Sequence, residues 1–173
     1  MRYHTHIVSS LAIGAGIATY TSISFTVTYA AGLAIGGLLP DIDEPNSYIG
    51  RRSLGVAKQV KKAFGHRGFT HSLLAWGAMT AVLLFQHFSP FTLGLCLGYA
   101  FHVLADYCSS QGVPLLWPFS KKRYRFIITY RTSSFFETLL FYCFLVLFIY
   151  FLTNGAIEEN SSFFSLLFID FSE

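Results

Sequence analysis

The stretch IVSSLAIGAGIATYTSISFTVTYAAGLAIGGLL, residues 7–39, contains 33 residues without one Asp, Glu, Lys or Arg. A helix needs about 20 apolar residues to cross a membrane, so this stretch is too long for one span and short for two. The polar run TYTSIS, residues 19–24, interrupts it. We therefore expect two short membrane helices, at about 5–20 and 23–39.

The composition of the whole chain argues against a soluble globular enzyme. Of its 173 residues, 53% are hydrophobic and only 12% are charged, whereas soluble domains carry roughly 25% charged residues. The length fits a single domain, residues 1–173. The net charge of +3 is modest, and no basic block interleaved with aromatic residues indicates nucleic-acid binding. The three cysteines fall in apolar runs and predict no disulfide framework.

Three further apolar runs complete the predicted fold class, an all-α polytopic membrane bundle of about five helices. These runs cover residues 72–88, 91–109 and 135–152. The C-terminal residues 156–173 contain an apolar segment too short to cross a membrane, and we expect them to form an interfacial or exterior tail.

The basic residues predict the orientation of this bundle. Every Lys and Arg except Arg2 lies in one of two segments, residues 40–69 and 112–131. By the positive-inside rule, both segments are cytoplasmic loops, the N-terminus is cytoplasmic and the C-terminus faces outward. The apolar region near the start runs well past the length of a signal peptide, so none is expected. The sequence therefore predicts a multi-pass membrane protein.

Ionisable residues cluster at the cytoplasmic ends of the five predicted helices. They are His4 and His6, Asp41 and Asp43, His66, Arg67 and His71, His102 and Asp106, and Glu137. Charges in or beside a membrane are costly, so such a set requires a functional reason. Because imidazoles and carboxylates are metal ligands, the set predicts a metal site at this face of the membrane. His87 falls at the opposite end and is interpreted as a surface residue.

Two short motifs supply the acidic residues of this set. His102 and Asp106 lie one helical turn apart, where they can share an ion or simply hydrogen-bond to each other. In LPDID, residues 39–43, Asp41 and Asp43 point the same way if the chain is extended. That pattern fits a cation between the two carboxylates, and it equally fits an acidic turn that ends a helix.

The segment GHRGFTHS, residues 65–72, places two imidazoles around Arg67. A guanidinium beside metal-binding groups is suited to bidentate recognition of a phosphate or a carboxylate. Thr70 is expected to cap the helix that follows. Glu137 is interpreted as a ligand, as a partner of a ligating histidine, or as a carboxylate that snorkels to the interface. His4 has an alternative role as an interfacial residue.

These motifs resemble those of the LexA-regulated, membrane-bound family of predicted metal-dependent hydrolases. The resemblance rests on Thr5-His6, LPDID at 39–43, HRGFTHS at 66–72 and HVLADYCSSQGVPLLWP at 102–118. Where members often have Thr, this chain has Ser109, which keeps the hydroxyl group. That family is similar to the helical zinc phospholipase C and P1 nuclease group, which implies a related helical fold.

The resemblance also implies which residues hold metal. The corresponding ligands are His6, Asp41 or Asp43, His66 or His71, His102 and Asp106, with Glu137 as a substitute for the group's later ligands. No histidine follows His102, so one or two zinc ions are expected rather than three. Asp43 would act as general base or bridging ligand, while Arg67 and Ser109 would bind the substrate phosphate.

The expected activity is metal-dependent hydrolysis of a phosphoester in a phospholipid or lipid-linked phosphate. A site at the level of the lipid headgroups favours such a substrate, with membrane lipid as the partner and no role for nucleic acid. Two alternatives remain open from the residues alone. One is a metal-ion or proton-coupled transporter. The other is a structural membrane protein whose helices are joined by a metal.

Overall fold

The computed structural model describes residues 1–65 and 67–169, with side chains described up to residue 154. The described part of the chain contains six α-helices and, between them, three short 3-10 turns. The helices are α1 (Tyr3–Thr19), α2 (Val27–Gly36), α3 (Val56–Phe64), α4 (Leu73–Gln86), α5 (Pro90–Tyr107) and α6 (Phe135–Ile169). The turns are Leu39–Asp43, Gly50–Arg52 and Phe69–His71. The predicted all-α class is confirmed. In the described residues, β-structure is limited to two isolated bridges.

Hydroxyl side chains begin three of these helices. The side chain of Thr26 accepts a hydrogen bond from the Tyr29 backbone N–H at the start of α2. Ser72 does the same for Ala75 in α4, and Ser89 forms a capping box with Thr92 in α5. Such caps satisfy amide groups that the first helical turn leaves unpaired. The expected capping of α4 by Thr70 is therefore wrong, because Ser72 is the cap.

Helices α2 and α5 pack backbone against backbone through two pairs of glycines. Gly32 and Gly36 on α2 face Gly94 and Gly98 on α5. A Cβ atom added at Gly36 would lie 2.2 Å from the carbonyl oxygen of Leu95, so no side chain fits there. Both pairs have the GxxxG spacing that allows close approach of membrane helices.

Many large apolar side chains are exposed, and several charged or polar side chains are buried. Large side chains such as Val27, Phe85 and Ile127 are almost fully exposed, whereas the charged or polar side chains of His71, His102, Asp106 and Glu137 are fully buried. This distribution suits a hydrocarbon environment rather than water.

One described helix segment is long and apolar enough to cross a membrane, Phe135–Asn154 of α6, with a mean hydropathy of 2.2. By comparison, α4 is apolar but has only 14 residues, and α2 has 10. The predicted bundle of five membrane helices is thus not confirmed. The backbone of α6 continues as a helix to Ile169 through most of the predicted tail, and residues 170–173 lie outside the described residues.

Candidate metal centre

Four side chains from three parts of the chain converge on one buried point. Asp41 lies in the 3-10 turn after α2, His71 lies just before α4, and His102 and Asp106 are one turn apart on α5. One possible ligand atom from each lies within 4.8 Å of the other three. His71, His102 and Asp106 are fully buried, while the Asp41 side chain is 17% exposed. The predicted meeting of the LPDID turn, the THS segment and the HxxxD pair is therefore observed.

The spacing of these atoms suits a single ion. The Nε2 atoms of His71 and His102 are 3.3 Å apart. Oδ1 of Asp41 lies 3.7 Å and 3.6 Å from those two nitrogens, and Oδ2 of Asp106 lies 3.6 Å and 3.8 Å from them. Four ligands placed about 2.0–2.2 Å from a tetrahedral ion would be separated by roughly 3.3–3.6 Å. The observed group is therefore slightly larger than a closed tetrahedral site.

The hydrogen bonds behind the two imidazoles fix which nitrogen faces this point. Nδ1 of His102 lies 2.7 Å from the Gly37 carbonyl oxygen, to which it must donate. Nδ1 of His71 lies 3.1 Å from Oγ1 of Thr70 and 3.3 Å from Oδ2 of Asp43, and both oxygens can accept its hydrogen. In metalloproteins the same carbonyl or carboxylate support orients the ligating histidine and makes it more basic. Both Nε2 atoms are thus presented to the centre.

The electrostatics of the group call for positive charge at the centre. Burial lowers the pKa of His71, but the nearby carboxylates of Asp41, Asp43 and Asp106 outweigh burial and raise the pKa to about 9. Burial raises the pKa of Asp41, but the nearby imidazoles, His102 foremost, hold it well below its usual value. A bound cation would replace the proton on Nε2 of His71, since metal ligands must be deprotonated.

Arg67 covers one side of the group. Its Nη2 atom lies 2.6 Å from Oδ2 of Asp106, and its Nη1 atom donates to the hydroxyl of Ser109 at 3.1 Å. Its backbone has a positive φ of 51°, and its backbone N–H donates to Asp43. Ser109 in turn donates to the Asp106 carbonyl oxygen. Ser109 therefore holds the guanidinium in place beside Asp106.

The other predicted ligands occupy different positions. The ring of His6 stacks on that of His102 with centroids 3.8 Å apart, and its Nε2 atom lies 3.6 Å from Oδ1 of Asp106. Among the described residues, neither ring nitrogen of His6 has a hydrogen-bond partner. Glu137 lies outside the four-residue group, because its carboxylate accepts from the backbone N–H groups of Arg2 and Ser133. His66 lies outside the described residues.

Three groups that contact the candidate ligands or Asp43 were not predicted from the sequence. They are the Gly37 carbonyl, the Thr70 hydroxyl, which donates to Asp43 at 2.6 Å, and the Met1 amino group, 3.2 Å from Oδ1 of Asp106. The main-chain groups of Gly37 and Met1 have no side-chain signal. The hydroxyl of Thr70, next to His71, is the only one of the three that a motif could have indicated.

A polar cavity of about 320 Å³ lies over the group. Asp41 and Arg67 line it, together with Tyr48, Arg51 and Gln111. The exposed part of Asp41 is thus accessible from a space large enough for a small polar group.

Together these features define an all-helical protein with many exposed apolar side chains and a buried His/Asp group able to hold a metal ion. The chain belongs to the family described as YdjM inner membrane protein, whose model matches residues 1–171. Membership supports a membrane location. Regulation by LexA and similarity to zinc phospholipase C stay predictions from the resemblance.

Individual relatives agree with this assignment. The chain is 49% identical over 87 residues to inner membrane protein YdjM of Escherichia coli K12, covering 47% of this chain and 44% of that protein. The match to the Shigella flexneri protein of that name has the same extent. The uncharacterized protein YvsG of Bacillus subtilis is 36% identical over 139 residues, or 79% of this chain and 84% of that protein. The chain thus matches less than half the length of the two YdjM proteins. No solved structure matches.

Proposed function

We propose that this protein is a divalent-metal-dependent hydrolase of a phosphoester in a membrane lipid, acting at the cytoplasmic face. The observation that carries the proposal is the convergence of Asp41, His71, His102 and Asp106, with both imidazoles oriented by groups behind them. A simple His–Asp hydrogen bond would need neither the second imidazole nor the support from Gly37 and Asp43.

The donor set fits a catalytic metal better than a closed structural site. Two imidazoles and two carboxylates suit zinc and other first-row divalent ions. A divalent ion held here would make water a nucleophile at neutral pH and stabilise negative charge on phosphoryl oxygens. Asp41 reaches the polar cavity, so the site has an accessible side, as catalytic sites require.

His6 supports a second ion as part of the proposal. Oδ2 of Asp106 faces His71 and His102, whereas Oδ1 lies 3.6 Å from Nε2 of His6 and 3.2 Å from the Met1 amino group. The carboxylate of Asp106 could therefore serve two positions at once. A second ion beside Oδ1 would have to displace that amino group. The proposed site therefore holds one or two metal ions.

The remaining polar residues have one of two proposed roles. They either position another side chain of the site or bind the substrate. Asp43 is buried and bonded to His71, Thr70 and Arg67, so we assign it to orienting His71 rather than to acting on water. Arg67 lines the polar cavity and can present its guanidinium to a phosphate. Ser109 holds Arg67 and does so from a fully buried position.

A lipid substrate is supported by where the group lies in the fold. The site is next to the first turn of α6, whose Phe135–Asn154 segment is the candidate membrane span. Glu137 in that turn bonds to Arg2, which immediately precedes α1. A phosphate at the headgroup level of the cytoplasmic leaflet would be within reach of Arg67.

The test combines metal analysis with a lipid phosphatase assay. Protein purified in detergent is analysed for bound metals and then incubated with vesicles containing phosphatidic acid. We expect a divalent metal to copurify, and phosphate release to stop on chelation and return on adding the metal. Asp106→Asn and His102→Gln should abolish both metal binding and release, whereas His87→Ala, an exposed histidine outside the group, should affect neither.

Two outcomes would contradict the proposal. Absence of bound metal in folded wild-type protein, after attempts at reloading, would eliminate the metal centre. Stoichiometric metal without hydrolysis of phosphatidic acid or any other phosphorylated lipid would leave the two other roles, a transporter or a structural protein in which the ion joins the LPDID turn to α5.

A further inference from the structure

An apolar groove of about 650 Å³ runs between α1, α5 and α6. Its wall on α6 is formed by Phe136, Leu139, Leu140 and Phe144. These positions repeat at intervals of three and four residues and therefore lie on one face of the helix. The groove follows about 12 Å of α6, at 1.5 Å per residue.

The opposite wall of the groove shows the same regularity. Phe101, Leu104 and Ala105 lie on one face of α5, and Cys108 follows directly after it. Ile13 of α1 and loop residues 126 and 128–130 add to the lining. In the described part of the chain, no charged side chain lines this space. A groove of this size is typical of a small-molecule site.

The position of the groove indicates its occupant. One wall belongs to the candidate membrane span, so the hydrocarbon available to the groove is that of the bilayer. Met1 lines both the groove and the polar cavity over Asp41 and Arg67. The apolar groove and the polar cavity therefore meet at Met1, an arrangement that suits the acyl chain and the headgroup of one lipid.

We propose that this groove binds an acyl chain of the substrate lipid, so that the attached phosphate enters the polar cavity beside Arg67. The inference rests on the proposed function, since it assigns the chain-binding part of the same site. A chain that leaves the bilayer for the groove exchanges one apolar environment for another and gains little hydrophobic free energy. The groove therefore orients the substrate more than it attracts it.

Photocrosslinking tests the groove without requiring activity. The protein is placed in phosphatidylethanolamine and phosphatidylglycerol vesicles containing phosphatidic acid with a diazirine on one acyl chain. We expect adducts on the groove faces of α5 and α6. Leu140→Trp and Leu104→Trp, which fill the groove from opposite walls, should lower adduct yield about tenfold. Ile149→Trp, on the opposite face of α6 and 53% exposed, is the matched control and should not.

A second readout connects the groove to catalysis. For each groove variant, hydrolysis of long-chain phosphatidic acid should fall about tenfold more than hydrolysis of a water-soluble phosphomonoester. Adducts spread evenly around α6, or equal loss for both substrates, would overturn the inference and leave the hydrolase proposal standing. Groove-specific adducts without hydrolysis of any phosphoester would refute the hydrolase and keep the lipid site. Adducts joining two protein chains through this face would show a second copy as the occupant and overturn it.

Discussion

The carboxylate of Asp43 lies behind His71, away from the point where the four candidate ligands meet. Replacing Asp43 by Asn keeps its size and removes the charge that accepts from Nδ1 of His71. We expect Asp43→Asn to weaken metal affinity about 10- to 100-fold, the usual cost of losing such a supporting group. A competition titration against a chelating dye measures this change.

Glu44→Gln is the matched control for that variant. Glu44 neighbours Asp43 in the chain but pairs with Lys61 at 2.7 Å. Equal loss of affinity in both variants would mean that general negative charge, and not the bond to His71, is responsible.

Arg67 supports a second prediction at this scale. A lysine keeps the positive charge but cannot contact Asp106, Ser109 and a phosphate with one planar group. We expect Arg67→Lys to lower the rate of phosphate release roughly 10- to 100-fold, with bound metal unchanged. Loss of the metal in this variant would instead assign Arg67 to the integrity of the centre.

The contributing residues differ in how far the sequence could indicate them. Asp41, His71, His102 and Asp106 could be predicted as candidates for one site because residue chemistry and the expected helix ends agreed. The choice between Asp41 and Asp43, and between His66 and His71, stayed open. Glu137 could not be placed, because its partners are backbone amides of Arg2 and Ser133. Every residue type carries the same backbone amide, so a sequence motif cannot predict a contact to one. The separate roles of Asp41 and Asp43 depend on a 3-10 turn, where the expectation was an extended chain.

At the scale of elements, the glycine contact between α2 and α5 positions the metal centre. It holds Gly37, which follows α2 directly, against His102 on α5. The sequence predicted both helices from apolar runs and polar interruptions. Their partnership was missed, although the spacing of Gly32 and Gly36, and of Gly94 and Gly98, carries the signal.

This contact predicts the effect of adding a single methyl group. We expect Gly36→Ala to destabilise the fold by about 1–3 kcal/mol, as overpacking does, and to weaken metal binding by moving the Gly37 carbonyl. Gly77→Ala on α4 is the control, because nothing lies within 4 Å of the added atom. Thermal unfolding in detergent, with metal analysis of both variants, compares the two. Equal stability of the two variants would contradict the close packing.

At the scale of the whole molecule, a metal ion would join three separate regions of the chain. A ligand at 100 times its Kd stabilises the folded state by about 2.7 kcal/mol. For a chain of this size each kcal/mol changes Tm by about 2–4 °C, so chelation should lower Tm by roughly 5–10 °C. Asp106→Asn should lose this response and His87→Ala should keep it. An unchanged wild-type Tm would argue against a metal that supports the fold.

The predicted orientation has its own test. In a variant whose three native cysteines are replaced by serine, a cysteine replacing Lys121, in the basic loop 112–131, should react with a membrane-impermeant maleimide in inverted vesicles but not in intact cells. A cysteine replacing His87, at the far end of α4, should show the reverse. Labelling of both from the same side would contradict the multi-pass arrangement.

The shortness of α2 has a consequence for the surrounding lipid. Ten residues rise about 15 Å, half of a hydrocarbon layer that is roughly 30 Å thick. Its glycine contact with α5 keeps α2 from shifting along its neighbour to reach further. With Asp41 at the headgroup level, α2 would begin near the midplane. The 17 residues of α1 would rise about 25 Å, still short of a full crossing, whereas α6 is long enough to continue across. The bilayer would then be thinner beside α2 than beside α6. Such one-sided thinning costs less in membranes whose lipids have shorter acyl chains.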